Sequence, residues 1–216
     1  MTKNLKKRLY TSVSLFLLLI LMLANNLILG YFLIIAGVLS VIEFFQITKI
    51  ILKNNKIKKF VTNLIFIFYS FSFCSIFLIL SSFLHLKILI FVIIITCVAS
   101  DIGGFVFGKI FKGIKLTKIS PNKTVSGAIG SLLFSTIIIV VIIYYLTKNF
   151  DSSILIVGCV TSIGCQLGDL FFSYLKRKSF LKDTGSFLPG HGGILDRIDG
   201  ILLGAPIGFL TLLLIY

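Results

Sequence analysis

Apolar runs close to the length of a bilayer crossing recur from one end of this 216-residue chain to the other. A helix of about 20 apolar residues spans the hydrocarbon core, and inside lipid each backbone polar group must be satisfied within its own segment. Runs at roughly 10–24, 27–46, 61–83, 88–107, 126–146, 153–175 and 197–216 therefore predict an all-α fold, a polytopic transmembrane helical bundle of about seven spans. Hydrophobic residues make up 57% of the chain and charged ones only 13%, a balance that excludes an ordinary soluble domain. No small-residue cleavage site follows the first run, which reads as a retained helix and not a signal peptide. No repeat or linker divides the sequence, so a single integral membrane domain over 1–216 is expected, with N-terminal spans in 1–99.

The charge is arranged by side. Of 21 Lys and Arg residues, 19 fall in the N-terminus and in alternate loops, and only Lys87 and Lys148 fall between. Basic loops stay on the cytoplasmic side, so the N-terminus and the 176–196 stretch are expected there, in a multi-pass inner-membrane protein. The net charge of +14 is explained by those loops, which also suit anionic headgroups of the lipid bilayer. No nucleic-acid partner is expected, because no basic stretch carries interleaved aromatics for base stacking. Cys74, Cys97, Cys159 and Cys165 lie in apolar runs without Cys-x-x-Cys spacing, which suggests packing roles and neither zinc nor disulfides.

The polar groups concentrate in 169–199. This stretch holds four of the seven acidic residues, Asp169, Asp183, Asp196 and Asp199, with Lys176, Arg177, Lys178, Lys182, Arg197 and His191. A charged side chain in a span costs about 2.5–3.5 kcal/mol on insertion scales, so Glu43, Asp101 and Asp169 each need a reason. One reason is pairing with loop lysines at helix ends; the other is chemistry. Asp169 follows Gly164, Gln166 and Gly168, with Ser173 one turn later on the same face, and Asp196 and Asp199 share a face three residues apart. Carboxylates converging at a membrane surface repel unless a cation lies between them. Such oxygen donors suit Mg²⁺, which also binds substrate phosphates.

Two further motifs carry donors for phosphate. Asp101 precedes Gly104 and Gly108, a small-xxx-small face for close helix packing. After it, Ser120-Pro121 signals a helix start, with Lys123, Thr124 and Ser126 at the N-terminus that follows, where free N–H groups favour phosphate. Pro189-Gly190-His191-Gly192-Gly193 is a glycine turn that lets backbone approach a ligand. It lacks the Gly-Lys-Ser/Thr ending of a Walker loop. His191 fits a phosphate donor, a general acid or a turn-stabilising side chain equally well.

Ser173-Tyr-Leu-Lys-Arg177, Lys182-Asp183 and Leu188-Pro-Gly-His-Gly-Gly-Ile-Leu-Asp-Arg-Ile-Asp199 together resemble the signature of phosphatidate cytidylyltransferases, the CDP-diacylglycerol synthases. Asp101 with its glycines, Ser120-Pro-Asn-Lys-Thr124 and Gly168-Asp169 match as well, so the resemblance covers a catalytic region at roughly 100–208. Ser126 departs from it, standing where the family usually has Glu. The resemblance implies an enzyme that joins CTP and phosphatidic acid into CDP-diacylglycerol and pyrophosphate, with Mg²⁺ on Asp169 and Asp196. Asp199 and Asp101 are additional candidate ligands, and a second, monovalent cation is a further candidate. Lys123, Lys176, Arg177, Lys182, Arg197 and His191 are candidates for the phosphates, with Ser120, Thr124, Gly192 and Gly193 beside them. A homodimer is expected.

Two other readings are weighed. Intramembrane carboxylates also serve cation-coupled transporters, but here they cluster toward one side and form no relay across the membrane. Another CTP-dependent lipid enzyme, such as a polyprenol kinase, would share the basic and acidic groups. A CDP-alcohol phosphotransferase is disfavoured by the lack of an Asp-Gly-x-x-Ala-Arg run.

Overall fold

The computed structural model describes residues 3–117, 120, 123–185, 187 and 192–215, and for 3–12 the backbone alone. Seven helices follow in order: α1 Lys3–Ala24, α2 Asn26–Ile51, α3 Lys56–Ser81, α4 Leu84–Phe111, α5 Val125–Thr147, α6 Ser153–Lys178 and α7 Leu195–Ile215. α2 to α7 are each long and apolar enough to cross a membrane, and α1 carries a shorter apolar segment, Val13–Ala24. No strand is present among the described residues. The helices overrun the predicted spans into the basic segments. Lys49 lies inside α2 and Lys56, Lys58 and Lys59 lie inside α3, so the expected basic loop shrinks to 52–55. Lysine is a good helix former and can extend its charge to water from a helix end. Asparagine sets the starts: Asn25 accepts from the Leu27 N–H and Asn55 from the Lys58 N–H, as N-caps do.

The chain forms two compact units, Met1–Ile88 with Leu175–Ile198, and Leu89–Tyr174 with Asp199–Tyr216. In the first, α2 packs on α1 and α3. Its core includes Leu29, Leu33, Phe44 and Ile47 from α2 with Phe66 and Phe77 from α3. Phe44 and Phe66 stack with ring centroids 3.9 Å apart. Lys87 is buried and donates to Asn26 Oδ1 at 2.6 Å.

In the second unit, small residues decide the packing. At the α4–α5 crossing, an added Cβ at Gly103 would lie 2.5 Å from the Gly130 carbonyl oxygen, and one at Gly104 2.6 Å from Ser131 Oγ. At the α6–α7 crossing, Gly164 meets Gly204, and Gly168 faces the backbone of Asp199 and Gly200. Gly104 and Gly108 thus do the packing their spacing suggests. The Gly200, Gly204, Gly208 series in α7 serves the same purpose, and the sequence reading passed over it. Without a hydrophobic force between helices in lipid, such close approach supplies the attraction. Gly103→Ala is expected to lower stability by about 1–3 kcal/mol. Unfolding of the detergent-solubilised protein measures this, and an unchanged midpoint would count against the crossing. Hydroxyls on the same helices pair internally: Ser131 donates to the Ser100 carbonyl and Ser100 meets Ser162 Oγ, both at 2.8 Å.

Candidate active site

In the first unit, a buried carboxylate on α2 organises the start of α7. The N-terminus of any helix leaves backbone N–H groups without partners. Here Ile194 and Leu195 open α7 with no side chain able to accept from them. Glu43 supplies the acceptors from α2, taking the Ile194 N–H at 3.0 Å and the Leu195 N–H at 2.9 Å. The Thr184 hydroxyl donates to the same carboxylate at 2.7 Å. These partners lie 141 to 152 residues from Glu43 in sequence. Backbone and hydroxyl donors therefore take the place of the loop lysines considered as partners for Glu43. The negative charge also stands at the positive end of the α7 dipole.

Asp196 does the second half of this work. Its Oδ2 accepts from the Gly193 N–H at 3.0 Å and the Thr184 N–H at 2.8 Å, and its Oδ1 from Lys176 Nζ at 2.7 Å. Reaching back three residues is what the acidic member of a capping box does. Gly192 has a φ of +81°, and a Cβ there would press against Asp196 Oδ2. A Cβ at Gly193 would run into Thr184 Oγ1 and Glu43 Oε2. In the described structure, the Gly193, Ile194 and Leu195 N–H groups are thus occupied by the protein's own carboxylates. Lys182, Asp183, Arg177 and Arg197 are exposed. His191 and Pro189-Gly190 lie outside the described residues.

In the second unit, Asp169 on α6 forms an ion pair with Lys123 and accepts from Ser173 Oγ at 3.3 Å. The one-turn spacing of Asp169 and Ser173 anticipates that contact, but the pairing of each key carboxylate with a lysine is the reading set beside chemistry in the sequence. Ahead of α5, the Leu116 N–H donates to the Lys123 carbonyl and the Val125 N–H to the Ile114 carbonyl. Thr124 caps α5, accepting from the Gly127 N–H at 3.1 Å. Ser126 donates to the Lys112 carbonyl, so it holds the loop by its hydroxyl. Ser120 accepts the Lys123 N–H through its carbonyl at 3.0 Å. Asp101 is exposed on α4, and Asp199 is buried, with Oδ1 accepting from the Gly200 N–H.

The two key carboxylates differ in openness. The side chains of Asp169 and Lys123 are 33% and 25% exposed, those of Asp196 and Lys176 only 7% and 14%. No group of three or more His, Cys, Asp or Glu gathers as a metal site among the described residues. The donor chemistry nevertheless fits a hard cation at Asp169, a half-open carboxylate beside a hydroxyl. At Asp196, three of the roughly four lone-pair directions of a carboxylate are taken, which leaves room for one more partner.

The family model described as "Cytidylyltransferase family" matches residues 1–215. The chain belongs to the cytidylyltransferase family. Among curated proteins, one named phosphatidate cytidylyltransferase from Rickettsia prowazekii (strain Madrid E) is 41% identical over 117 residues, 50% of this chain and 51% of that protein. Proteins of the same name from Staphylococcus haemolyticus and Helicobacter pylori are each 43% identical, over 118 and 114 residues. These alignments cover 54% and 52% of this chain, and 45% and 42% of the two relatives. The chain spans about half the length of the curated relatives it matches. The match to the cytidylyltransferase family includes α1–α3, where the resemblance in sequence offered hydrophobic spans and Glu43 as a candidate counterpart of a family acidic residue.

Proposed function

We propose that the chain is a phosphatidate cytidylyltransferase that makes CDP-diacylglycerol and pyrophosphate from CTP and phosphatidic acid. The family match over nearly the whole chain carries this reading, supported by the name its relatives share. In the reaction, a phosphate oxygen of phosphatidic acid forms a bond to the α-phosphorus of CTP, and the bond from that phosphorus to the β-phosphate bridging oxygen breaks. The electron pair leaves with pyrophosphate. The attacking phosphate is already ionised near neutral pH, so the protein need not remove a proton. Both reactants are anions, and positioning with charge neutralisation supplies the rate.

Each residue then has a task. Lys123 is half-exposed at the start of α5, beside Asp169, where a phosphate can compete for its ammonium. Lys176, held by Asp196, and the exposed Arg177, Lys182 and Arg197 meet the triphosphate and the lipid phosphate. Asp169 is the carboxylate best fitted to take Mg²⁺, and Asp196 can add one oxygen to a cation. When bound, Mg²⁺ screens the charge that develops on the phosphate oxygens. The proposed setting is the bacterial inner membrane, with the N-terminus and the basic loops in the cytoplasm where CTP is available. A homodimer is proposed from the resemblance alone.

Detergent-purified protein given Mg²⁺, CTP and phosphatidic acid, each omitted in turn, tests the reading. Pyrophosphate release that requires all three is expected. Release indifferent to the lipid would instead favour a different CTP-dependent enzyme, and no release at all would reopen a transport role.

A further inference from the structure

Glu43 is 5% exposed and Thr184 2%, so their contact is shielded from water. Thr184–Gly185 and Gly193–Leu195 lie so close to the carboxylate that side chains are excluded there: a Cβ at Gly185 would lie 2.6 Å from Glu43 Oε1, and one at Gly193 would clash with Oε2. Thr184 is held twice, by its hydroxyl to Glu43 and by its N–H to Asp196. Asp196 in turn holds Lys176. A chain of contacts thus runs from α2 through Thr184 and the first turn of α7 to a basic residue on α6. Lys182 and Arg197 lie close by in sequence.

From this geometry we infer that Glu43 is a positioning residue: it fixes Thr184–Gly185 and the start of α7 so that Lys176, Lys182 and Arg197 meet the triphosphate. The inference rests on the function proposed above for its reaction, but the cap itself does not. Glu43 also takes the Ile194 and Leu195 N–H groups at the anion-favouring start of α7, so those two groups are not open to triphosphate.

Glu43→Gln is the direct test, in the full chain in detergent or lipid nanodiscs. The amide offers one oxygen where the carboxylate offers two, and its NH₂ must face one of the two backbone N–H groups. Thr184→Val removes the hydroxyl at nearly constant shape, and Thr184→Ser restores it. Hydrogen exchange of the peptide covering Ile194 and Leu195 reads the cap without reference to any activity. Exchange there is expected to quicken by about tenfold or more in Glu43→Gln, the scale set by losing one hydrogen bond to a charged group. Kinetics read the positioning: KM for CTP is expected to rise about tenfold in Glu43→Gln, less in Thr184→Val, and to return in Thr184→Ser. A smaller folded fraction would lower kcat and leave KM unchanged, so the KM shift separates positioning from damage. Unchanged exchange in Glu43→Gln would overturn the cap. Quickened exchange with an unchanged KM for CTP would overturn the positioning role. If the parent chain releases no pyrophosphate, the proposed reaction and the kinetic half of the inference fall together, and the exchange result still decides the cap.

Discussion

Asp169→Ala protein is expected to release pyrophosphate about 10³-fold more slowly than the parent chain while unfolding at nearly the same temperature. The two halves of this expectation have separate origins. Activity falls because Asp169 is the half-open carboxylate proposed to take Mg²⁺, and a lost electrostatic contact to reacting phosphates weakens catalysis by orders of magnitude. Stability holds because the partner left behind, Lys123, is 25% exposed and can turn to water. Exposed ion pairs contribute about 0–1 kcal/mol. Near-parent turnover by Asp169→Ala would end the metal assignment. A large loss of stability would instead make the Lys123 pair a structural one.

Asp196→Ala is expected to behave differently, losing both activity and about 3–5 kcal/mol of stability. Alanine would remove the shared acceptor of three donors at once: Lys176 Nζ, the Gly193 N–H and the Thr184 N–H. Lys176 is 14% exposed, so its ammonium would lose this carboxylate in a largely buried place. Adding Lys176→Met should cost less than it does in the parent chain, since its contact with Asp196 is already gone, and the two substitutions then combine less than additively. Chemical or thermal unfolding in detergent measures both. An Asp196→Ala protein as stable as the parent would remove the capping role assigned to this carboxylate.

The sequence makes the membrane helices plain because about 20 apolar residues can do little else in a chain this greasy. Their ends are less plain. Lys56 to Lys59 look like a loop by charge, yet Asn55 caps a helix that includes them. Within the site, contacts one turn apart are legible, as with Asp169 and Ser173. Contacts between distant segments are not. Lys123 suggests a phosphate ligand by its place at a helix start, and its ion pair with Asp169 depends on packing that spacing does not encode. Glu43 is the clearest case. By itself it is an acidic residue in an apolar run with Lys49 nearby. The clue lies 150 residues away, in a helix that starts at Ile194-Leu195 without Ser, Thr, Asp or Asn to cap it. Such a start implies an acceptor from elsewhere, and a buried carboxylate with no basic residue within one turn of it in sequence is the natural source.

That same cap bears on how modular the protein is. The N-terminal helices look like a membrane anchor that any greasy hairpin could replace, because apolar residues make up most of them. A chimera built on that view would remove the acceptor for three donors and leave the start of α7 open. Glu43, Thr184, Gly185 and Gly193 form one physical unit drawn from distant parts of the sequence, so transplanted N-terminal helices must bring a carboxylate at the matching turn of α2.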